Sequence, residues 1–316
     1  MEVNKATKRR YWAALDKLTA KLEADYYVLA VVLYGSLARG EPWEKSDIDL
    51  FIILRDGQKK ETRPHAWLTE DGINIFAEVF PRNLFKRSLE RALQGSILHS
   101  VRSQFKLLFT KDESIAAWLD ESAHIGARDQ QFQLLSTTTD VLYPLEKAQK
   151  WLYAKHDVNY SFLWIMNVVN ALARVEVVLN GQAPNREALD QALVFNPDFF
   201  NAVYVDLING PKTEQTIERA LDMVDGYLKE RVERIFAPVL DYLGQADGPR
   251  TATELDTHFR DKVQMREVGY LAFVYEWLAE HDVIEKLSSP IRLTRKSRVT
   301  VDEPAYYYDV GPVGWD

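Results

Sequence analysis

The sequence predicts an α/β (α+β) domain built on a small mixed sheet, followed by an all-α bundle and a short C-terminal piece of helices and strands. Three observations predict it. Two apolar runs, Val28–Leu33 and Leu50–Leu54, are too short for core helices and read as buried strands. From about 113 to 240 the apolar residues recur at helical spacing. Beyond Gly248 and Pro249 the pattern shortens to brief helices and then to β-branched runs.

The elements follow in order. An amphipathic helix, about Ala6 to Ala24, precedes the first strand. Tyr34-Gly35-Ser36-Leu37-Ala38-Arg39-Gly40 then leads through Ser46-Asp47-Ile48-Asp49 into the second. Gly35 and Ser36 fall where a strand ends and a short helix begins, a place whose backbone N–H groups can hold phosphate oxygens. Gly40 suits a tight exit from that helix. A period of two puts the Asp47 and Asp49 carboxylates on one face, with Ile48 and Leu50 on the other. Adjacent carboxylates repel unless a cation lies between them, and a set of oxygen ligands suits Mg²⁺. A third strand, Ile73 to Phe80, is closed by Pro81 and carries Glu78 near its end; Glu70 and Asp71 read as its entry turn. A helix over 83–93 follows; Arg82 just before it and Lys86, Arg87 and Arg91 within it make either a phosphate-screening or a solvated basic face. A strand-like segment, 105–110, leads to a boundary at Lys111-Asp112-Glu113.

Gly-Ser, a spacer, then Asp-x-Asp between two strands resembles the signature of the polymerase-β-like nucleotidyltransferase superfamily. The resemblance is strongest over residues 28 to 54 and extends to about 110. It implies that Asp47 and Asp49 hold two Mg²⁺ ions on a nucleoside triphosphate. A third carboxylate completes the metal site or deprotonates the attacking hydroxyl, and Glu78 stands in its place. Glu replaces the commoner Asp there, as in the antibiotic-modifying branch, which favours a small acceptor. Gly35, Ser36, Arg39 and Ser46 make up the implied nucleotide-binding set; for Arg39 a surface salt bridge is the alternative. The expected reaction moves AMP from ATP to a hydroxyl of a small-molecule acceptor and releases pyrophosphate. Two alternatives stand beside it: nucleotidylation of a protein or an RNA end, and a nucleotide-sensing regulator that binds DNA. The acceptor and the base preference follow no short motif.

Composition narrows the field. The 316 residues are 47% hydrophobic and 27% charged, which is globular and sufficient for two or three domains. We expect divisions at 1–112, 113–240 and 241–316. With no cysteine there is no disulfide framework, thiolate metal site or cysteine nucleophile, and the six histidines lack metal-ligand spacing. A net charge of −8 disfavours a dedicated nucleic-acid binder. The basic N-terminus lacks a signal-peptide core, and no apolar run is expected to approach a membrane span, so a cytoplasmic protein without a membrane partner is expected.

The helical part is read as a helix over 130–154, a second from an Asp157 N-cap to Leu179-Asn180-Gly181, and a third from Thr213 to a stop before Pro238. This pattern, with Leu179-Asn180-Gly181 and Pro184, resembles the second domain of antibiotic nucleotidyltransferases. That implies acceptor contacts from residues 140 to 180, where Glu146, Lys147, Lys150, Tyr153 and Asn167 interrupt apolar neighbours. Interhelix hydrogen bonds or a solvated stripe would explain them as well. At the C-terminal end, a short helix from Thr253, a longer one over 265–281 and short strands at 283–287, 291–294 and 299–301 resemble the winged-helix order. Helix residues Arg266, Glu267, Tyr270, Tyr275, Glu276 and Glu280 suit DNA poorly; the wing, with Arg292, Arg295, Lys296 and Arg298, suits it better. Docking or homodimer formation is the main expectation for this piece, and DNA binding the alternative.

Overall fold

The computed structural model describes residues 2–40, 42–57, 64–92, 105–122, 127–182, 184, 187–260, 262, 270–294 and 296–309. The chain falls into two compact units, Met1–Gly126 and Ala127–Asp316, where three were expected.

In the first unit, helix α1 (Glu2–Ala24) precedes β1 (Val28–Tyr34), and the short helix α2 (Gly35–Arg39) leads on to β2 (Ile48–Leu54). Then come β3 (His65–Glu70), β4 (Ile73–Pro81), α3 (Arg82–Ala92), β5 (Lys106–Thr110) and α4 (Glu113–Ser122). The strands form one mixed sheet in the order β3-β4-β2-β1-β5. β2 and β4 run parallel, and the other neighbours are antiparallel. All seven residues of β1 are buried, which explains its unbroken apolar run.

β3 was not expected. Its partner strand returns through Asp71 and Gly72, both at positive φ (48° and 73°), the backbone that a two-residue hairpin turn requires. Lys17 pairs with Asp71 and Lys21 with Glu70, each at 2.5 Å, fixing this turn to α1. Glu70 and Asp71 therefore serve the hairpin.

The two faces of the sheet are covered unequally. Tyr11, Leu15 and Leu18 of α1 pack with Leu33, Ile48, Leu50, Ile52, Ile75 and Ala77 on one face. On the other, Phe85 and Leu89 of α3 and Ile115 of α4 pack with Ala30, Val32, Phe51 and Ile53. Ile115 also explains why the boundary expected at 111–113 fails: the helix after it belongs to this core. The end of the second face that carries Asp49 is less covered, so Asp49, Phe76 and Glu78 are half-buried while His65 and Trp67 are exposed.

The second unit is mostly helical. Its helix Ala127–Gln149 runs into a π-helical turn, Lys150–Ala154. The next helix, Val158–Leu179, begins where Asp157 accepts the Tyr160 N–H and ends at Gly181, with φ 72°. This helix is long and apolar enough to cross a bilayer, contrary to expectation. Its apolar residues instead fill the core of the unit, from Leu134 to Tyr306. The third expected helix divides: Glu214–Lys229 ends early, and Pro238 opens a new helix, Ala237–Gly244, near the N-terminal position where its missing N–H costs nothing.

The C-terminal elements share that core instead of forming a unit of their own. Leu255, Phe259, Tyr275 and Tyr306 pack in one cluster with Val239 and Leu243. The order is helix Ala237–Gly244, strand β6 (Arg250–Thr251), helix Ala252–Phe259, helix Tyr270–Glu280 and strands β7 (Glu285–Ile291) and β8 (Val301–Tyr307). These strands form a sheet in the order β6-β8-β7. Two seven-residue strands thus replace the three short ones expected. Tyr306 is buried in β8 and its hydroxyl donates to Glu276 at 2.8 Å. Arg266, Glu267 and Arg295 lie outside the described residues.

Candidate active site

Strand register builds the site. Tyr34 of β1 stands opposite Asp49 of β2, Asp49 opposite Phe76 of β4, and Phe76 opposite Trp67 of β3. The next row inward carries Val32, Phe51, Glu78 and His65. Directly paired residues share a face, so Asp49, Glu78, Phe76, Trp67 and His65 all lie on the incompletely covered one. Strand spacing and two residue steps put the Asp49 and Glu78 Cα atoms roughly 8 Å apart.

Gly35 is required where it stands. Its φ is 77°, and a Cβ on it would collide with Asp49 Oδ2. The backbone that starts α2 therefore lies directly against the Asp49 carboxylate. Asp47 precedes the strand and is half-buried. Its approach is fixed by Tyr11 of α1, whose hydroxyl donates to the carbonyls of Ser46 (2.7 Å) and Glu44 (3.1 Å). Burial is the main cause that raises the Tyr11 hydroxyl above its usual range; Arg10 opposes it, and the charge of Asp47 adds to it.

Glu78 is held from one side. The Tyr34 hydroxyl donates to its Oε1 at 3.1 Å, and the Tyr34 ring stacks on Phe51 at 4.2 Å and 13°. Burial, then the charges of Glu78 and Asp49, push the Tyr34 hydroxyl far above its usual range, so it remains a donor at any ordinary pH.

The remaining sequence-predicted residues divide. Ser36 and Arg39 lie on α2, half-buried beside Gly35 and Gly40. The Ser46 hydroxyl accepts the Trp43 N–H at 3.0 Å, so it closes the turn before Asp47. Arg82 is committed elsewhere: it pairs with Asp112 at 2.5 Å and donates to Ser114 at 2.8 Å. Lys86 pairs with Glu90 at 3.7 Å, Arg87 is exposed, and the side chain of Arg91 lies outside the described residues. In the second unit Lys147 stands over the Tyr143 ring, Asn167 donates to the Leu163 carbonyl of its own helix, and Glu146, Lys150 and Tyr153 are exposed.

Among the described residues, no three acids or histidines gather as ligands for one ion. Glu78 stands one strand over from Asp49 and two residues deeper along the sheet, on the same face. Two carboxylates with backbone N–H groups alongside still fit Mg²⁺, an ion commonly held by one or two carboxylates together with substrate phosphates. The sequence reading missed Tyr34, His65, Trp67 and Phe76. The alternation of the β3–β4 hairpin and its Asp71-Gly72 turn were the signal for the last three.

Residues 16–114 match the family model described as polymerase beta, nucleotidyltransferase. No curated protein matches the chain. Among solved structures, a nucleotidyltransferase-like protein from Exiguobacterium sibiricum is similar over 94% of this chain and 98% of its own, with a TM-score of 0.62 and 16% identity. At that identity the likeness is one of fold.

Proposed function

With residues 16–114 forming a nucleotidyltransferase domain of the polymerase-β-like superfamily, we propose that the protein transfers AMP from ATP to a hydroxyl of a small-molecule acceptor. The observation that carries this reading is the shared face of Asp49 and Glu78, with the Gly35 backbone against the first and the Tyr34 hydroxyl on the second. Mg²⁺ ions, held by Asp47 and Asp49 together with phosphate oxygens, would supply charge neutralisation on the triphosphate.

The residues of this chain do the rest. The Gly35 and Ser36 N–H groups and the Arg39 guanidinium bind the β- and γ-phosphates. Glu78 takes the acceptor's proton on the carboxylate oxygen that Tyr34 leaves open. The acceptor oxygen bonds to the α-phosphorus as the α–β P–O bond breaks, and pyrophosphate leaves with that electron pair. A cytoplasmic location suits this use of ATP.

For 237–307, the element order and the β6-β8-β7 sheet support a winged-helix assignment. DNA reading by its helix is disfavoured, since Tyr275 is buried and Glu276 is occupied by Lys286 and the Tyr306 hydroxyl. Docking or homodimer formation suits it better.

The test is incubation with labelled ATP, Mg²⁺ and a collection of hydroxyl acceptors, following pyrophosphate release. Release that needs an acceptor and vanishes in Asp49→Ala is expected. ATP that binds without turnover, and binds as well without Asp47 and Asp49, would favour the sensing alternative.

A further inference from the structure

We propose that Trp67 and Phe76 form the acceptor-binding surface of this site, and that the acceptor carries its hydroxyl on a ring with a broad π or C–H face. The inference rests on the reading above and adds the class of the second substrate.

The direction of transfer selects the surface. Attacking and leaving oxygens stand roughly in line across the phosphorus. Pyrophosphate leaves toward Gly35 and Ser36, which follow β1 on one side of Asp49. The attacking hydroxyl therefore approaches from the other side, over β4 and β3. Glu78, its base, lies on β4 and faces the same way.

Aromatic residues wait there. Phe76 is the direct neighbour of Asp49, and Trp67 is the direct neighbour of Phe76, with ring centroids 4.9 Å apart at 51°. His65 stands opposite Glu78, its ring 6.2 Å from Phe76. Trp67 lies on β3, the edge strand among the described strands of this sheet, and is 66% exposed. A cross-strand pair alone would account for the Trp67–Phe76 contact. It does not account for an indole left open in the same row as Asp49. Rings on a sheet face offer π surface and little hydrogen bonding, which selects a ring that can lay a broad π or C–H face on them, aromatic or sugar, over an open chain.

The test uses the full chain with Mg²⁺ and a non-hydrolysable ATP analogue. Tyramine and glucosamine serve as aromatic and saturated rings, and glycerol and serinol as acyclic hydroxyl compounds. The Trp67 indole N–H, assigned by its loss in Trp67→Phe, is followed by NMR during each titration. A shift with one or both ring compounds and none with the acyclic pair is expected, and which ring responds gives the source. Ring-compound affinity should fall about tenfold in Trp67→Ala and recover most of the way in Trp67→Phe, with nucleotide affinity within twofold throughout. Acyclic compounds that bind as well as rings would overturn the proposal. So would an indole signal that no ring compound moves while the nucleotide analogue binds. Failure of the analogue itself to bind would instead count against the nucleotidyl-transfer reading, so the two failures are distinguishable.

Discussion

Glu78 and Glu176 occupy similar places and have opposite uses. Each is a lone carboxylate in an apolar element, and a tyrosine hydroxyl donates to each: Tyr34 to Glu78 at 3.1 Å, Tyr227 to Glu176 at 2.7 Å. Glu176 is 6% exposed and also accepts Asn180 at 2.9 Å and Asn196 at 3.3 Å. Its oxygens are spoken for, and it ties helix Val158–Leu179 to two other parts of the second unit. Glu78 is half-buried, and among the described residues Tyr34 is its single hydrogen-bond donor. The difference teaches that burial alone does not mark a working carboxylate. A filled set of partners makes one structural; a set filled on one side and open on the other leaves an oxygen for chemistry.

The largest expected effect tests the working side of this contrast. Asp47→Ala or Asp49→Ala should lower transfer by at least ~3 kcal/mol in the transition state, about a hundredfold or more. Removing mutually repelling acids should leave the melting temperature unchanged or slightly higher. Activity within tenfold of the parent would break the assignment. Glu78→Gln should lower single-turnover rate about a hundredfold while the urea midpoint and ATP affinity hold. Glu176→Ala should do the reverse, lowering the unfolding free energy by about 3 kcal/mol because the Tyr227 hydroxyl and two amides lose their acceptor in a buried site. If Glu78→Gln destabilised the fold as much as Glu176→Ala, the comparison would collapse.

Smaller effects sharpen it. Gly35→Ala forces a Cβ into Asp49 at a φ of 77° and should cost about 2 kcal/mol of stability, together with most of the transfer activity, as read by thermal melting and pyrophosphate release. The smallest effect concerns Asp112. The Ser114 hydroxyl, then Arg82, hold its carboxyl below the usual carboxylate range. A depressed folded-state value gives stability that is complete above the unfolded value near ~3.9 and is lost as pH falls through the folded one. Asp112→Asn should therefore be less stable than the parent by up to about 1 kcal/mol at neutral pH, with the gap closing in acid. A gap that is constant with pH in denaturation curves would show that packing, and not charge, sets it.

Much of this was legible in the sequence because it was local. β1, β2 and β4 follow from apolar runs, the strand–helix turn from Tyr34-Gly35-Ser36, and the ends of helix Val158–Leu179 from Asp157 and Gly181. What was not legible depends on distant partners. Nothing near Glu176 in sequence announces Tyr227 or Asn196, and nothing near Ile115 assigns its helix to the sheet. The division after Lys229 was hidden because Pro238 can end a helix or begin one, and tertiary packing decides which. Among the site residues, the Asp pair was visible as a motif. The open aromatic row required strand order and register, which single-strand periodicity does not provide.

The long apolar helix Val158–Leu179 also has a history in time. It leaves the ribosome before Ile217, Val224, Leu255, Tyr275 and Tyr306, residues of the core it joins. At translation speeds of ~5–20 residues per second, the interval before Tyr306 emerges is on the order of ten seconds. During that interval a segment apolar enough for a bilayer lacks much of its final shelter. Synthesis itself is then the period of greatest exposure to misassembly, and sequence changes near Tyr306 that leave the mature active site untouched would still lower the yield of folded protein.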